Sequence, residues 1–286
     1  APVESLVRML PARSTEGDAD KALSYVAPKE YTTESLIYMM ERWKRDAKCK
    51  ASAAKDGFIV QDFVPGIEMG SSGYFGPGGW EPYVTENWEF KKLMNDDLGV
   101  ATGEQGTILR YTKESKLAEQ VLKPLEDYLH GLGYTGYIDV NCIIDSKGTP
   151  WPLEFTMRPG WPLFQIQQSV HKGDPAEWML DLIDGKDTQK VSTDIACGVV
   201  ITMPDYPYDA KSKKDCTGYP LFDLKLEDAC GNIHFADVKM GKAPAMVDGK
   251  VKLDVEQFVT AGSYVCIVTG TGNTVEEAME DCYTRI

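Results

Sequence analysis

Apolar positions recur at helical spacing in "TTESLIYMMERWKRD", where Leu36, Met39, Met40 and Trp43 line one side and Thr32 or Thr33 is placed to cap the start. The same spacing in "SKLAEQVLKPLEDYLHGLG" gathers Leu117, Val121, Leu125, Tyr128 and Leu129, with a kink predicted at Pro124 and an end at Gly131. "GDPAEWMLDLIDG" predicts a third helix, capped by Asp174, with Pro175 in its first turn and Gly185 beyond its end. A last helix is predicted from Thr274, with Glu277 completing a capping box. Strand patterns are shorter. "GFIVQDFV" (57–64) reads as a short buried strand, and "GSSGYFGPGGWEPY" (70–83) as a glycine-rich loop or hairpin that lacks the ending of a phosphate-binding Walker loop. "TGYIDVNCII" and "PWPLEFTM" read as two strands around the turn "DSKG", and the apolar neighbours of Glu154 suggest that the second is buried. Further on, "ACGVVITM" and "SYVCIVTGTG" are strand patterns, so α+β layers are expected to give way to a β-rich C-terminal domain.

The two strands around "DSKG" carry candidate chemistry. A two-residue loop at Ser146–Lys147 sets Asp139 opposite Glu154, with Cβ atoms about 5 Å apart, and Asn141 and Thr156 on the same side. Facing carboxylates repel, which leaves two readings: a divalent cation between them, or a solvated strand face with incidental acids. Arg158 follows Glu154 just before a turn at Pro159–Gly160.

Composition narrows the partners. The 286 residues have a formal net charge of −14 and a pI near 4.7, a poor match to nucleic-acid phosphates. No apolar run approaches the roughly 20 residues of a membrane span, and no secretory pattern is present, so neither nucleic acid nor membrane is expected as a partner. Seven scattered cysteines without a CxxC pair suggest reduced thiols and a cytoplasmic setting. The three histidines have no zinc-ligand spacing, and His130 and His171 are expected to be structural.

"GYIDVNCIIDSKGTPWPLEFTMRPG" resembles the metal-binding hairpin of ATP-grasp ligases, which carries an acid on its first strand and Glu-x-Asn-x-Arg on its second. Asp139, Glu154 and Arg158 match, while Thr156 stands in place of the Asn and Asn141 is the substitute ligand. "FIVQDFVPGIEMG" resembles the hinge strand that holds adenine, which implies nucleotide contacts from Asp62, Phe63 and Val64 and ribose contact from Glu68. "STEGDADKALSYV" resembles the phosphate-covering loop, with Lys21 in the phosphate-binding position. Within the superfamily, "WEFKKLMNDDLGVATGEQGT" and the C-terminal strands are similar to the phosphoribosylamine–glycine ligase (glycinamide ribonucleotide synthetase) family. That match implies substrate contacts from Lys91, Thr102, Gly103, Glu104 and Gly160. Read without the resemblance, Glu68 is equally a solvated acid and Lys91–Lys92 an exposed pair.

The resemblance implies an α+β ATP-grasp fold, with two subdomains holding ATP between them, over residues 1–63 and 64–190, and a β-rich domain over 191–286. It implies a ligase of purine biosynthesis using ATP and Mg2+, with Mn2+ as the alternative ion, that joins an amine to a carboxylic acid such as glycine through an acyl phosphate. Asp139 and Glu154 would hold the ion, Lys21 would neutralise phosphate, and Arg158 would stabilise the transferring group. Three departures from the family, Trp161, Leu163 and Glu104, favour a different amine or acid. Thr156 and the absence of the family's N-terminal Rossmann-like domain from this chain leave a non-catalytic nucleotide-binding protein as a further alternative.

Overall fold

The computed structural model describes residues 5–8, 24–27, 32–96, 98–204, 206–207, 216–222, 224 and 231–286. Two compact units emerge. The first comprises residues 1–67 with 143–151, and the second 68–142 with 152–286.

In the first unit, β1 (Ser5–Arg8) lies between β2 (Ser24–Val26) and β3 (Ile59–Asp62) in an antiparallel sheet. The predicted helix is α1 (Thr32–Trp43). A second helix, α2 (Ala47–Asp56), has no apolar stripe to betray it and begins where the Asp46 carboxylate accepts from Lys48 N and Cys49 N at 2.8 and 2.9 Å. Trp43 and Cys49 are buried between the helices. The expected burial of 57–64 does not hold: Val60 is 53% exposed, and Phe58 and Phe63 are also open. A three-stranded sheet this small covers few of its own side chains.

The second unit is built on a long sheet. Its strands are β4 (Ile67–Gly76), β6 (Val84–Met94), β7 (Leu98–Thr112), β8 (Gly136–Ile144), β9 (Pro150–Thr156), β10 (Ile195–Thr202), β12 (Ile233–Phe235) and β15 (Tyr264–Gly272). They run in the order β12-β15-β10-β7-β6-β4-β8-β9, with the short β5 (Gly79–Trp80) beside β4. A separate sheet orders β11 (Thr217–Pro220), β14 (Lys250–Ala261) and β13 (Val238–Val247), so the C-terminal portion is β-rich as expected.

One strand expectation is met and one is corrected. The glycine-rich stretch is a hairpin: β4 ends at Gly76 and β5 returns beside it, with Phe75 paired to Trp80 and Gly76 to Gly79. The "PWPLEFTM" strand is not buried: as β9 it is the sheet's edge, with Trp151 48% and Phe155 49% exposed. Composition cannot separate a central strand from an edge strand, since position in the sheet decides burial.

Period-two alternation divides the sheet into two faces. One meets α5 (Leu163–Gln168) and α6 (Pro175–Ile183). Leu109, Tyr111, Ala196, Val200 and Ile267 pack there with Leu163 and Ile166, while Tyr74 and Tyr137 pack with Trp178 and Leu182. The other face carries Cys197, Cys266 and Val268 against Ala278 and Cys282 of α7 (Val275–Arg285). On this second side the buried Glu86 carboxylate accepts from Arg110 Nη2 (2.7 Å), Arg110 Nε (3.0 Å) and Ser115 Oγ (2.8 Å). Ser115 also caps α3 (Lys116–Val121), so one carboxylate joins two strands to a helix start.

The predicted kink at Pro124 is a 3-10 turn, Lys123–Leu125, between α3 and α4 (Glu126–Leu132). The stop moves from Gly131 to Gly133, which takes the left-handed conformation. Asp174 caps α6 as expected, accepting from Ala176 N at 2.8 Å. Thr274 caps α7, but Glu277 reaches the amide of Asn273 (2.8 Å) rather than that of the cap residue. Cys49, Cys142, Cys197, Cys266 and Cys282 are free and buried, Cys216 is buried, and Cys230 lies outside the described residues.

Candidate functional site

The face that α5 and α6 cover at one end becomes polar farther along the same strands. Gly70 pairs with Asn87, Glu89 pairs with Thr107, and Leu109 pairs with Asn87 from the other side, so these positions share one face of β4, β6 and β7. Tyr137, Asp139 and Asn141 of β8 join them. Gln167 Nε2 donates to Tyr137 Oη at 3.3 Å, and Asn141 Nδ2 donates to both Glu89 oxygens at 3.3 Å.

Lys91 is the cation of this group. Its ammonium is ion-paired to Glu68 and lies 3.2 Å from Glu89 Oε2. Burial by itself would lower the Lys91 pKa, but the Glu89 and Glu68 carboxylates outweigh it and hold the lysine charged. Lys91 is therefore no exposed pair with Lys92, and Glu68 is no solvated acid. Lys91 O accepts from Thr102 Oγ1 at 2.8 Å, which ties β6 to β7. Glu104 is buried on β7 and hydrogen-bonded by Thr107 Oγ1. Burial, then Glu89, push its carboxyl well above the ordinary range. Burial likewise raises Asp139 to about 7, with Glu89 the next cause and Glu154 a later one.

The hairpin geometry differs from the two-residue loop expected. Gly148 N donates to Asp145 O (2.9 Å), but Asp145 N donates to Thr149 O (3.1 Å), and Gly148 has φ +79°. This is a three-residue loop with a bulged glycine, so Asp145 faces Thr149. The pairing that set Asp139 squarely against Glu154 is displaced by one position. Asp139 is buried, whereas Glu154 is exposed on the edge strand. The two still repel, less strongly than Asp139 and Glu89 do. Among the described residues, no group of three His, Cys, Asp or Glu side chains is spaced to hold a metal ion.

The remaining predicted residues are dispersed. Asp62, Phe63 and Val64 lie at the end of β3 in the first unit, with Asp62 and Phe63 exposed. Arg158 is exposed and donates to Pro159 O at 3.0 Å, and Gly160 packs close to Leu163. Thr156, half-buried, ends β9, and Gly103 sits half-buried on β7 between Thr102 and Glu104. Trp161 stacks edge-on to Tyr264 at 4.7 Å, a packing role. Lys21 and most of its loop lie outside the described residues. A separate cavity of about 670 Å3, bordered by Ile201, Cys266, Val268 and Arg285, contains none of the predicted site residues.

Sequence reasoning missed Asn87, Glu89 and Gly70. The alternation of Asn87, Glu89 and Lys91 was a readable signal, hidden by the apolar Trp88 and Phe90 between them, which are the exposed residues here.

This architecture has solved counterparts. The phosphoribosylamine–glycine ligase of Thermotoga maritima superposes with a TM-score of 0.63 at 21% identity, covering 99% of this chain and 65% of that one. An ADP complex of N5-carboxyaminoimidazole ribonucleotide synthetase superposes with a TM-score of 0.51 at 13% identity, covering 98% and 60%. The fold is thus that of the ATP-grasp ligases. No family model matches the chain. In sequence it is similar to phosphoribosylamine–glycine ligases: 28% identical over 235 residues to that of Escherichia coli, covering 79% of this chain and 51% of the relative, and 25% identical over 249 residues to that of Fusobacterium nucleatum, covering 82% and 54%. The chain spans about half the length of the curated relatives it matches.

Proposed function

We propose that the chain carries the ATP- and Mg2+-dependent part of a carboxylate–amine ligase of the phosphoribosylamine–glycine ligase type. The observation that carries this reading is the group formed by half-buried Glu68, Glu89 and Lys91 with buried Asp139 on one sheet face, in a chain with this fold and these relatives. The γ-phosphoryl of ATP passes to a carboxylate, giving ADP and an acyl phosphate. The amine then displaces phosphate, forming the C–N bond and releasing a proton.

The donor set suits a hard divalent cation. Asp139 Oδ1 is buried without a hydrogen-bond partner, and Glu154 is near enough to repel it. Asp139 and Glu154 would hold Mg2+, with Asn141 beside them and Thr156 following on the edge strand. The ion would supply charge neutralisation at the phosphates when bound. Lys91 keeps Glu68 and Glu89 oriented. Arg158 is exposed and donates to the neighbouring carbonyl, and among the described residues no acid pairs with it to hold it back from a phosphoryl group. Lys21 and the backbone of Asp62, Phe63 and Val64 are assigned to the nucleotide.

Incubation with Mg2+-ATP, glycine and phosphoribosylamine is expected to release ADP and form the amide. ADP release only with other amines or acids would redirect the substrate assignment. The buried Glu104, where the family has a glycine, favours that variant of the reading. Nucleotide binding without turnover under any pairing would overturn the ligase reading.

A further inference from the structure

Two thiols meet beneath helix α7. Cys197 on β10 is paired with Gly270 on β15, so a side chain at position 270 would project beside that of Cys197. The helix takes that place instead: a Cβ built on Gly270 would come within 2.2 Å of Cys282 N and 2.7 Å of Cys282 Cα. Cys282 therefore stands where the cross-strand neighbour of Cys197 would, and the two sulfurs are hydrogen-bonded to each other. Cys282 Sγ also donates to Val268 O at 3.2 Å, which seats it over the strands. Both cysteines are free, at 5% and 0% exposure.

The pair is chemically unequal. The hydrogen bond from Cys197, and then the Arg285 guanidinium, lower the Cys282 pKa against its burial, while the same hydrogen bond, and then burial, raise that of Cys197. One sulfur thus has the thiolate character that attack requires, and the other keeps its proton. Val268 and Arg285, the latter one turn beyond Cys282, also border the cavity of about 670 Å3, which gives a small reagent a route to the edge of the pair. Cys266 lies on the same face but is paired with Ile201 farther along β10, and burial pushes its thiol up to about 11.

We propose that Cys197 and Cys282 are a modification site, which a hydroperoxide oxidises to a disulfide fastening α7 to β10 and which a small thiol restores. With hydrogen peroxide, the Cys282 thiolate attacks one oxygen. The O–O bond breaks, that oxygen stays on sulfur as a sulfenic acid, and the other leaves as water once protonated. Cys197 then attacks the sulfenic sulfur. The S–O bond breaks, the S–S bond forms, and the hydroxyl leaves as a second water with the Cys197 proton. The two thiols lose two electrons and the peroxide gains them. The site lies on the sheet face opposite the carboxylate group and does not rest on the ligase reading.

Peptide mapping and melting test it together. The folded 286-residue chain is reduced, freed of reductant and treated with a small excess of hydrogen peroxide, and its remaining thiols are blocked before digestion. A peptide joining Cys197 to Cys282, and split by dithiothreitol, is expected. The oxidised chain is expected to melt several degrees above the reduced one, because the bond closes a long loop in the unfolded chain, and to fall back with dithiothreitol. Cys282→Ala should abolish the peptide and the shift, and Cys266→Ala should leave both. The wild-type map decides by itself if a variant fails to fold. Recovery of both cysteines as free thiols, a bond from either to another cysteine, or sulfinic acid on Cys282 without the cross-link would overturn the proposal. So would a cross-link that forms only in urea, or one that leaves the melting temperature unchanged or lower.

Discussion

Two titratable groups on the same sheet face pull stability in opposite directions with pH. Asp139 has its folded pKa raised to about 7, by burial first and then by Glu89, from the ordinary carboxylate value near 4. Between those values the folded chain holds a proton that the unfolded chain has lost, so stability falls as pH rises. His171 is the reverse case. Burial lowers its pKa to about 4, and its Nε2 lies 2.8 Å from Tyr111 Oη. Between pH 4 and the ordinary histidine value near 6.5, the unfolded chain holds the extra proton, so stability falls as pH drops. Glu104, pushed up by burial and Glu89, and Glu81, raised to about 8 by burial and Asp187, act in the same sense as Asp139, so the metal-free wild type should lose stability as pH rises through the shared window. Asp139→Asn should make that loss shallower and should stabilise the chain at pH 8 by roughly 2–4 kcal/mol. Urea melts across that range, with chelator present, check both. An unchanged slope in the variant would mean that Asp139 is not held protonated in the folded chain.

At the scale of elements, helix α7 lies so close to β15 that only glycine fits beneath it. A Cβ on Gly270 would come within 2.2 Å of Cys282 N and 2.6 Å of Ala278 O, both backbone atoms that cannot step aside. Gly270→Ala should therefore cost about 3 kcal/mol or more. Gly131 is the contrasting case. It lies inside α4 with nothing within 4 Å of its would-be Cβ, so Gly131→Ala should stabilise by about 0.5–1 kcal/mol. Thermal melts of the two variants read the difference directly. Strand β9 sets a different expectation. Glu154 is exposed on that edge, so Glu154→Gln should change metal-free stability by less than about 0.5 kcal/mol. A larger loss of stability would assign Glu154 to a structural ion pair instead.

Across the whole molecule, binding and stability are linked. A ligand that binds only the folded chain at a hundred times its Kd adds about 2.7 kcal/mol. Mg2+-ATP should raise the melting temperature of wild type, and Glu154→Gln should shrink that rise while leaving the melt without nucleotide in place. A full nucleotide shift in the variant would remove Glu154 from the ion site. The described helices include none long and apolar enough to cross a membrane.

Helix existence and caps were legible in the linear chain, because they depend on neighbours within a few residues: Asp174, Pro175 and Thr274 act where their spacing placed them. The acid, Glu-x-x-x-Arg and hinge patterns, with the family resemblance they carry, likewise pointed to the ATP-grasp fold. Helix α2 was not legible, since an Ala- and Lys-rich segment shows no apolar stripe. Burial of β4 and exposure of β9 were settled by sheet order, a long-range property that local composition does not encode. The hairpin register turned on one bulged glycine, Gly148. The grouping of Glu68, Asn87, Glu89, Lys91, Glu104, Asp139 and Asn141 needed four adjacent strands to be paired in register. Residues far apart in the chain share a face only once those hydrogen-bonded ladders exist, so tertiary structure alone decided which charges meet and which oxygens are left without donors.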